Sequence, residues 1–301
     1  MQTLTEKRVF GAKSGTTNVY VASEMGLVVV TVSADQIGEF SLARRGAVNA
    51  VAVGGRQLVI GTDEGVFVAS HGHEAEQTIS AETPTFEPVG SDPVGRVVAA
   101  GSGLHGILVG DADGGVYHVG TDSGISHIGD IGETGDVGEP DRISAIDGGL
   151  VAASDGVYRV SETGISHVGL ADVRDVSGHG VPLAATTTGL FWLGNGWMTV
   201  ENGSFETVGS DGHGHALAVG PNGLIRHGVD NDAGSVADGV WEADDLGVDS
   251  PAVDVAYGGG IVAAITEDGT LCIDAGDGWR HQLLGIRGVR SLAVGPGNAS
   301  E

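Results

Sequence analysis

Short apolar runs and glycine-containing polar turns alternate along the chain. In LVIGTDEGVFVAS (58–70) an apolar run meets Gly61-Thr62-Asp63-Glu64-Gly65 and a second apolar run follows. The arrangement returns in VYVASEMGLVVV (19–30), ILVGDADGGVYHVG (107–120), LVAASDGVYRVS (150–161), PLAATTTGLFWLG (182–194), ALAVGPNGLIRHG (216–228) and VAAITEDGTLCID (262–274). Runs this short, bounded by Gly, Asp, Asn and Thr, predict strands joined by hairpin turns. The turn glycines are Gly26, Gly65, Gly115, Gly156, Gly189, Gly223 and Gly269. Their mean spacing of about 40 residues is that of a propeller blade. A turn that recurs in every unit is first a hairpin device. Glycine is expected to supply positive φ, with Asp, Asn or Thr capping the turn.

Each hairpin has a partner upstream. AVNAVAVGG (47–55), GRVVAAGSG (95–103), RISAIDGG (142–149), VRDVSGHG (173–180), AVDVAYGGG (252–260) and VRSLAVGPG (289–297) share one pattern. Their small residues suit innermost strands, where blades converge. More polar segments follow the hairpins, such as ISHIGD (125–130), ISHVGL (165–170) and WEADDLG (241–247), and suit outer strands that meet solvent. In the sixth unit the innermost strand is either SFETVGSD (204–211) or the following HALAVG. The expected fold is all-β: one seven-bladed propeller of four-stranded antiparallel blades over 1–301. RGVRSLAVGPG near the C-terminus resembles RGAVNAVAVGG (45–55) and has no hairpin after it. Residues 289–295 are therefore expected to pair beside the N-terminal hairpin at 18–32 and close the ring.

Composition changes the reading of charge. The 301 residues carry 40 acidic and 14 basic side chains, a formal net charge of -26, and the only lysines are Lys7 and Lys13. Acidic excess with scarce lysine resembles the proteins of salt-loving archaea. There the Debye length is about 3 Å at molar salt and self-repulsion is screened. The expected outcome is a denaturation midpoint that rises between about 0.1 M and molar KCl; a flat midpoint contradicts it. In that setting acidity says little against a nucleic-acid or ribonucleoprotein partner. Cys272 is the only cysteine, so no intrachain disulfide forms. The sequence has no apolar signal core and no run long enough to span a bilayer, which makes the cytoplasm the expectation and leaves the membrane out.

The turns GTDEGVF, SDGVYRVS and TTTGLFWL resemble the repeats of sialidase-like, sortilin-like and photosystem-assembly-factor propellers. SETGISHV (161–168) and TDSGISHI (121–128) resemble degenerate Asp-boxes that lack the final tryptophan. The chain also resembles uncharacterised β-propellers of haloarchaea. These resemblances imply the fold and carry over no catalytic residue.

Candidate chemistry sits where the chain enters the innermost strands. The polar positions there include Asn49, Arg96, Ser144, Asp175, Asp254 and Ser291, read as equivalent from blade to blade. Arg44, Arg45, Arg142, Arg174, Arg287 and Arg290 lie among them. A planar guanidinium fork suits carboxylates and phosphates. Asn49, Arg96, Arg142, Arg174, Asp175, Asp254 and Arg290 are the candidate ligand or partner residues. The arginines either clasp blades together through Asp175 and Asp254 or present an anion site. Nothing in the sequence calls for a cofactor. Asp111 and Asp113 sit in a faintly calcium-like loop without the further oxygens calcium needs, and the pairs His71/His73 and His213/His215 have no third ligand nearby. His127 and His167 read as repeat-position residues. Two functional classes remain. One is a scaffold binding a protein, a ribonucleoprotein or a small anion. The other is a lyase or hydrolase acting on an anionic substrate at the channel mouth.

Overall fold

The structure is a computed structural model that describes residues 16–55, 57–70, 84–90, 94–120, 124–132, 143–228, 236 and 239–297. Seven four-stranded antiparallel sheets surround a central channel. The innermost strands, in ring order, are Val289–Val294, Ala50–Gly54, Val97–Gly103, Ile143–Asp147, Val173–Ser177, Thr207–Ser210 and Ala252–Gly258. They define blades 1 to 7. Blade 1 is built from both ends of the chain. Val289–Val294 pairs with Thr16–Ser23, with Val19 opposite Val294 and Ser23 opposite Val289. In blade 6, Thr207–Ser210 is innermost and Ala216–Gly220 is its neighbour, which decides between the two sequence alternatives.

Three of the recurring hairpins between second and third strands share one hydroxyl device. Ser23, Thr62 and Thr186 each donate to the carbonyl of the turn glycine three residues on, at 2.9, 3.1 and 2.9 Å. Asp111 replaces the hydroxyl in blade 3, where its Oδ1 accepts from the amides of Asp113 and Gly115. The stretch Gly61–Gly65 is thus a capped turn. The glycines themselves divide in two. Gly26, Gly65, Gly156, Gly223 and Gly269 have positive φ, as expected, whereas Gly115 and Gly189 do not. Gly115 is required by space instead: a Cβ there would sit 2.9 Å from Asp111 Oδ2.

The core lies between blades. One buried cluster joins Val19, Val21 and Val30 of blade 1 to Ile261, Ile265 and Leu271 of blade 7. Polar side chains on third and fourth strands reinforce these seams. Trp197 Nε1 in blade 5 donates to Val168 O in blade 4 at 2.8 Å. Arg226 in blade 6 donates to Asp244 Oδ2 at 2.6 Å and to Asp274 Oδ2 of blade 7 at 2.8 Å, and its guanidinium lies 5.1 Å from the Trp279 ring. His127 and His167 occupy the same blade position: each faces a tyrosine of the third strand, Tyr117 at 4.9 Å and Tyr158 at 5.1 Å between ring centres.

At the lower mouth, where the chain leaves the innermost strands, glycines form a collar. A Cβ on Gly101 would meet Ile146 O at 1.7 Å, and one on Gly148 would meet Gly178 at 2.5 Å. These glycine-rich segments let neighbouring backbones touch.

Candidate functional site

The innermost strand of each blade has an unpaired edge facing the channel, and near the upper mouth each carries an irregularity. In blade 5, Val173 and Asp175 oppose Thr186 and Ala185, so Arg174 is an extra residue, a β-bulge. Arg290, Val98, Ser144 and Val253 are the extra residues of blades 1, 3, 4 and 7. In blades 2 and 6 the same geometry arises when the amides of Asn49 and Glu206 donate to Gly61 O and Val219 O, the carbonyls of residues already paired with Ala50 and Thr207. A bulge re-aims one side chain out of the ladder. All seven bulged residues line a central cavity of about 290 Å³.

The sequence-derived positions therefore fall into two successive slots rather than one. Asn49, Ser144, Arg174 and Arg290 are bulged residues, while Asp175, Asp254 and Ser291 come one residue later. Arg96 precedes the blade 3 strand and is not among the residues lining the cavity. Arg142, His71 and His73 lie outside the described residues. Arg44 stacks on Phe67 of blade 2, its Cζ 3.9 Å from the ring centre.

The second slot stitches the ring. Asp175 Oδ2 accepts from the Val208 amide of blade 6 at 2.8 Å and from the Thr207 hydroxyl at 2.6 Å. Asp254 Oδ2 accepts from the Leu292 amide of blade 1 at 2.7 Å. Ser291 Oγ accepts from the Val51 amide of blade 2 at 3.1 Å. Asn49 and Ser144 donate to Val97 O and Val173 O of the following blades. Edge amides that would otherwise point into the lumen are thereby satisfied. The aspartates clasp backbone rather than arginine, which differs from the sequence expectation. The arginines face exposed glutamates: Arg174 Nη1 meets Glu206, and Arg290 Nη2 lies 3.4 Å from Glu24 Oε1. These four side chains are 36%, 55%, 40% and 61% exposed, in that order.

Burial within the ring raises the pKa of Asp175 and of Asp254, and the Asp175 charge raises Asp254 further; amide donors oppose both shifts. The folded state thus binds a proton that the unfolded chain releases near pH 4. Stability contributed this way is present at low pH and is lost as pH rises through the folded pKa values. The loss is about 1.4 kcal/mol for each unit by which a carboxyl is raised. His179, raised by its hydrogen bond to Asp147, acts in the same direction. Asp211 and Asp274 are lowered and act only in acid. Asp254→Asn should therefore flatten the fall in chemical-denaturation stability between pH 5 and 8, and a slope equal to wild type refutes the assignment.

The lower mouth holds a second cluster that sequence reasoning missed. Ser102 donates to Asp147 Oδ1 at 2.9 Å and accepts from the Gly148 amide at 2.8 Å. Ser177 donates to Asp147 Oδ2. His179 Nε2 lies 3.1 Å from both Ser102 Oγ and Asp147 Oδ1. A serine nucleophile needs one imidazole nitrogen on the hydroxyl and the other on the carboxylate. Here one nitrogen faces both, so the cluster is a polar clasp across blades 3, 4 and 5. Among the described residues no group of three or more His, Cys, Asp or Glu could hold a metal.

Comparison with solved structures finds the same fold widely. Citrobacter koseri AztD shares 11% identity at a TM-score of 0.61, covering 96% of this chain and 100% of that one. A chain of the mitotic checkpoint complex shares 15% at 0.59, covering 85% and 86%. A chain of the nidogen/laminin complex shares 8% at 0.54, covering 92% and 98%. Identities this low show the fold alone. No curated protein matches the chain. A family model described as "Beta-prop_HVO_0234:-like, beta propeller" matches residues 3–295, and the chain belongs to that HVO_0234-like β-propeller family.

Proposed function

We propose that this propeller is a non-catalytic binding module whose upper mouth takes an anionic group, carried by a small ligand or presented by a protein or ribonucleoprotein partner. The observation that carries this reading is the placement of Arg174 and Arg290. Both are bulged residues lining one cavity, and each is engaged by a single exposed glutamate. Exposed ion pairs contribute at most about 1 kcal/mol each. The pairs are weak as clasps, and an incoming anion with two oxygens can displace a glutamate through fork contacts. The double variant Arg174→Ala/Arg290→Ala should melt within a few degrees of wild type. It should lose the thermal stabilisation that anionic compounds give the wild-type protein. A collapsed melt would make the arginines a structural clasp instead.

One observation favours a second reading. Asp175 and Asp254, both with raised pKa, line the same cavity as the arginines. A lyase or hydrolase acting on an anionic substrate uses such a combination. The amide donors already occupying both carboxyls weigh against it. Product formation from any stabilising compound, lost in Asp254→Asn, would establish the enzyme.

A further inference from the structure

Two carboxyls stand beneath the upper mouth around one hydroxyl. Thr207 Oγ1 stands between two carboxyls, 2.6 Å from Asp175 Oδ2 and 3.4 Å from Asp254 Oδ1. A hydroxyl has one proton. It goes to Asp175, the nearer acceptor, while both Asp254 oxygens accept amides, Oδ1 from Val255 at 2.8 Å and Oδ2 from Leu292 at 2.7 Å. Two carboxyls thus flank one hydroxyl, and like charges this close favour a state in which the pair shares one proton. The raised carboxyl pKa values agree.

The consequence concerns charge one residue below the bulged ring. With both carboxyls ionised, Arg174 and Arg290 would stand next to two negative charges that repel an entering anion. With the proton in place, one of those charges is gone. Resting on the reading of the upper mouth as an anion site, we propose that it binds a small divalent oxyanion of the sulfate and phosphate class together with a proton held on the Asp175–Thr207–Asp254 group. The cavity of about 290 Å³ runs along the channel, and Arg174 and Arg290 are among its lining residues. Its Arg174 and Arg290 forks supply charge-assisted contacts, and Asn49 and Ser144 share their ring level.

The other charged groups facing this site are few. Glu206 and Glu24 hold the arginines when no anion is bound. Asp63 is held by Asn49 at 2.9 Å. Asp147, from blade 4, adds a repulsive influence on Asp175 and is tied to His179 at the lower mouth.

Sulfate is the probe, because it keeps both charges from pH 5 to 9 and any pH dependence belongs to the protein. Calorimetric titration at fixed KCl concentration, in buffers of different ionisation enthalpy, reads affinity and proton uptake together. Wild-type affinity should fall from pH 6 to pH 8, by up to about tenfold per unit of pH for one linked proton, with net proton uptake on binding. Arg174→Ala/Arg290→Ala should lose binding by at least tenfold, the scale of one charge-assisted contact. Asp254→Asn should bind sulfate with little pH dependence and no proton uptake, and Asp175→Asn offers the same readout should that variant not fold. Binding that needs the arginines but is independent of pH refutes the proton linkage and leaves the anion site standing. Binding unchanged in the arginine variant refutes the site and the functional reading with it. No wild-type binding of sulfate refutes the oxyanion class.

Discussion

Deleting residues 289–301 should destabilise the protein by at least about 4 kcal/mol, the scale reserved for loss of a major structural element. The last strand supplies the innermost quarter of blade 1. Without it, the edge of Thr16–Ser23 opens and Leu292 leaves the cluster it shares with Val19 and Ile265. Burying one leucine contributes about 2–3 kcal/mol. Two stitches also disappear: the Leu292 amide on Asp254 and the Val51 amide on Ser291. Asp254, which loses its interblade donor, would then face an open channel. Chemical denaturation at high salt should show a lower midpoint or no folded baseline. A midpoint within experimental error of wild type would mean that the ring does not depend on this closure.

Arg226→Ala should cost about 3–5 kcal/mol, the range for breaking a buried ion pair from one side. Arg226 bridges Asp244 and Asp274 across the seam between blades 6 and 7, and the Asp274 side chain is only 6% exposed. Its removal leaves both carboxylates without their cation and uncovers the Trp279 ring. Asp274 keeps its amide donors from Gly276 and Gly278, so the loss falls toward the lower end. Arg226→Met should recover part of the stem's contact area but not the charge. An Arg226→Ala variant as stable as wild type would contradict the role of this seam.

The architecture was legible because each blade repeats one short signal. An apolar run, a polar turn with glycine and a second apolar run can be counted along the chain, and ring closure followed from the likeness of RGVRSLAVGPG to RGAVNAVAVGG. The site was legible only in outline. Asn49, Arg174, Asp175, Asp254 and Arg290 do meet at one cavity, but Arg174 and Asp175 turned out to serve different purposes. A bulge adds one residue to a strand, and neighbouring letters in the sequence then stand at different ring levels. No composition or periodicity marks that shift; the apolar residue before each bulge, as in Val48, Val97, Ile143 and Val173, was the one usable marker. Arg226 gave no local sign at all, since its partners lie 18 and 48 residues away. The lower-mouth cluster had a fainter sign in its serines and histidine set among glycines, at Ser102 and His179.

The central claim is that bulged Arg174 and Arg290 turn the upper mouth into an anion site. Anomalous diffraction from crystals soaked in selenate, an isostere of sulfate, tests it most directly. The account predicts a selenium peak at the upper mouth within hydrogen-bond reach of the Arg174 or Arg290 guanidinium, with Glu206 or Glu24 displaced. Selenium peaks confined to outer-surface arginines such as Arg280, with none at the channel mouth, would contradict it.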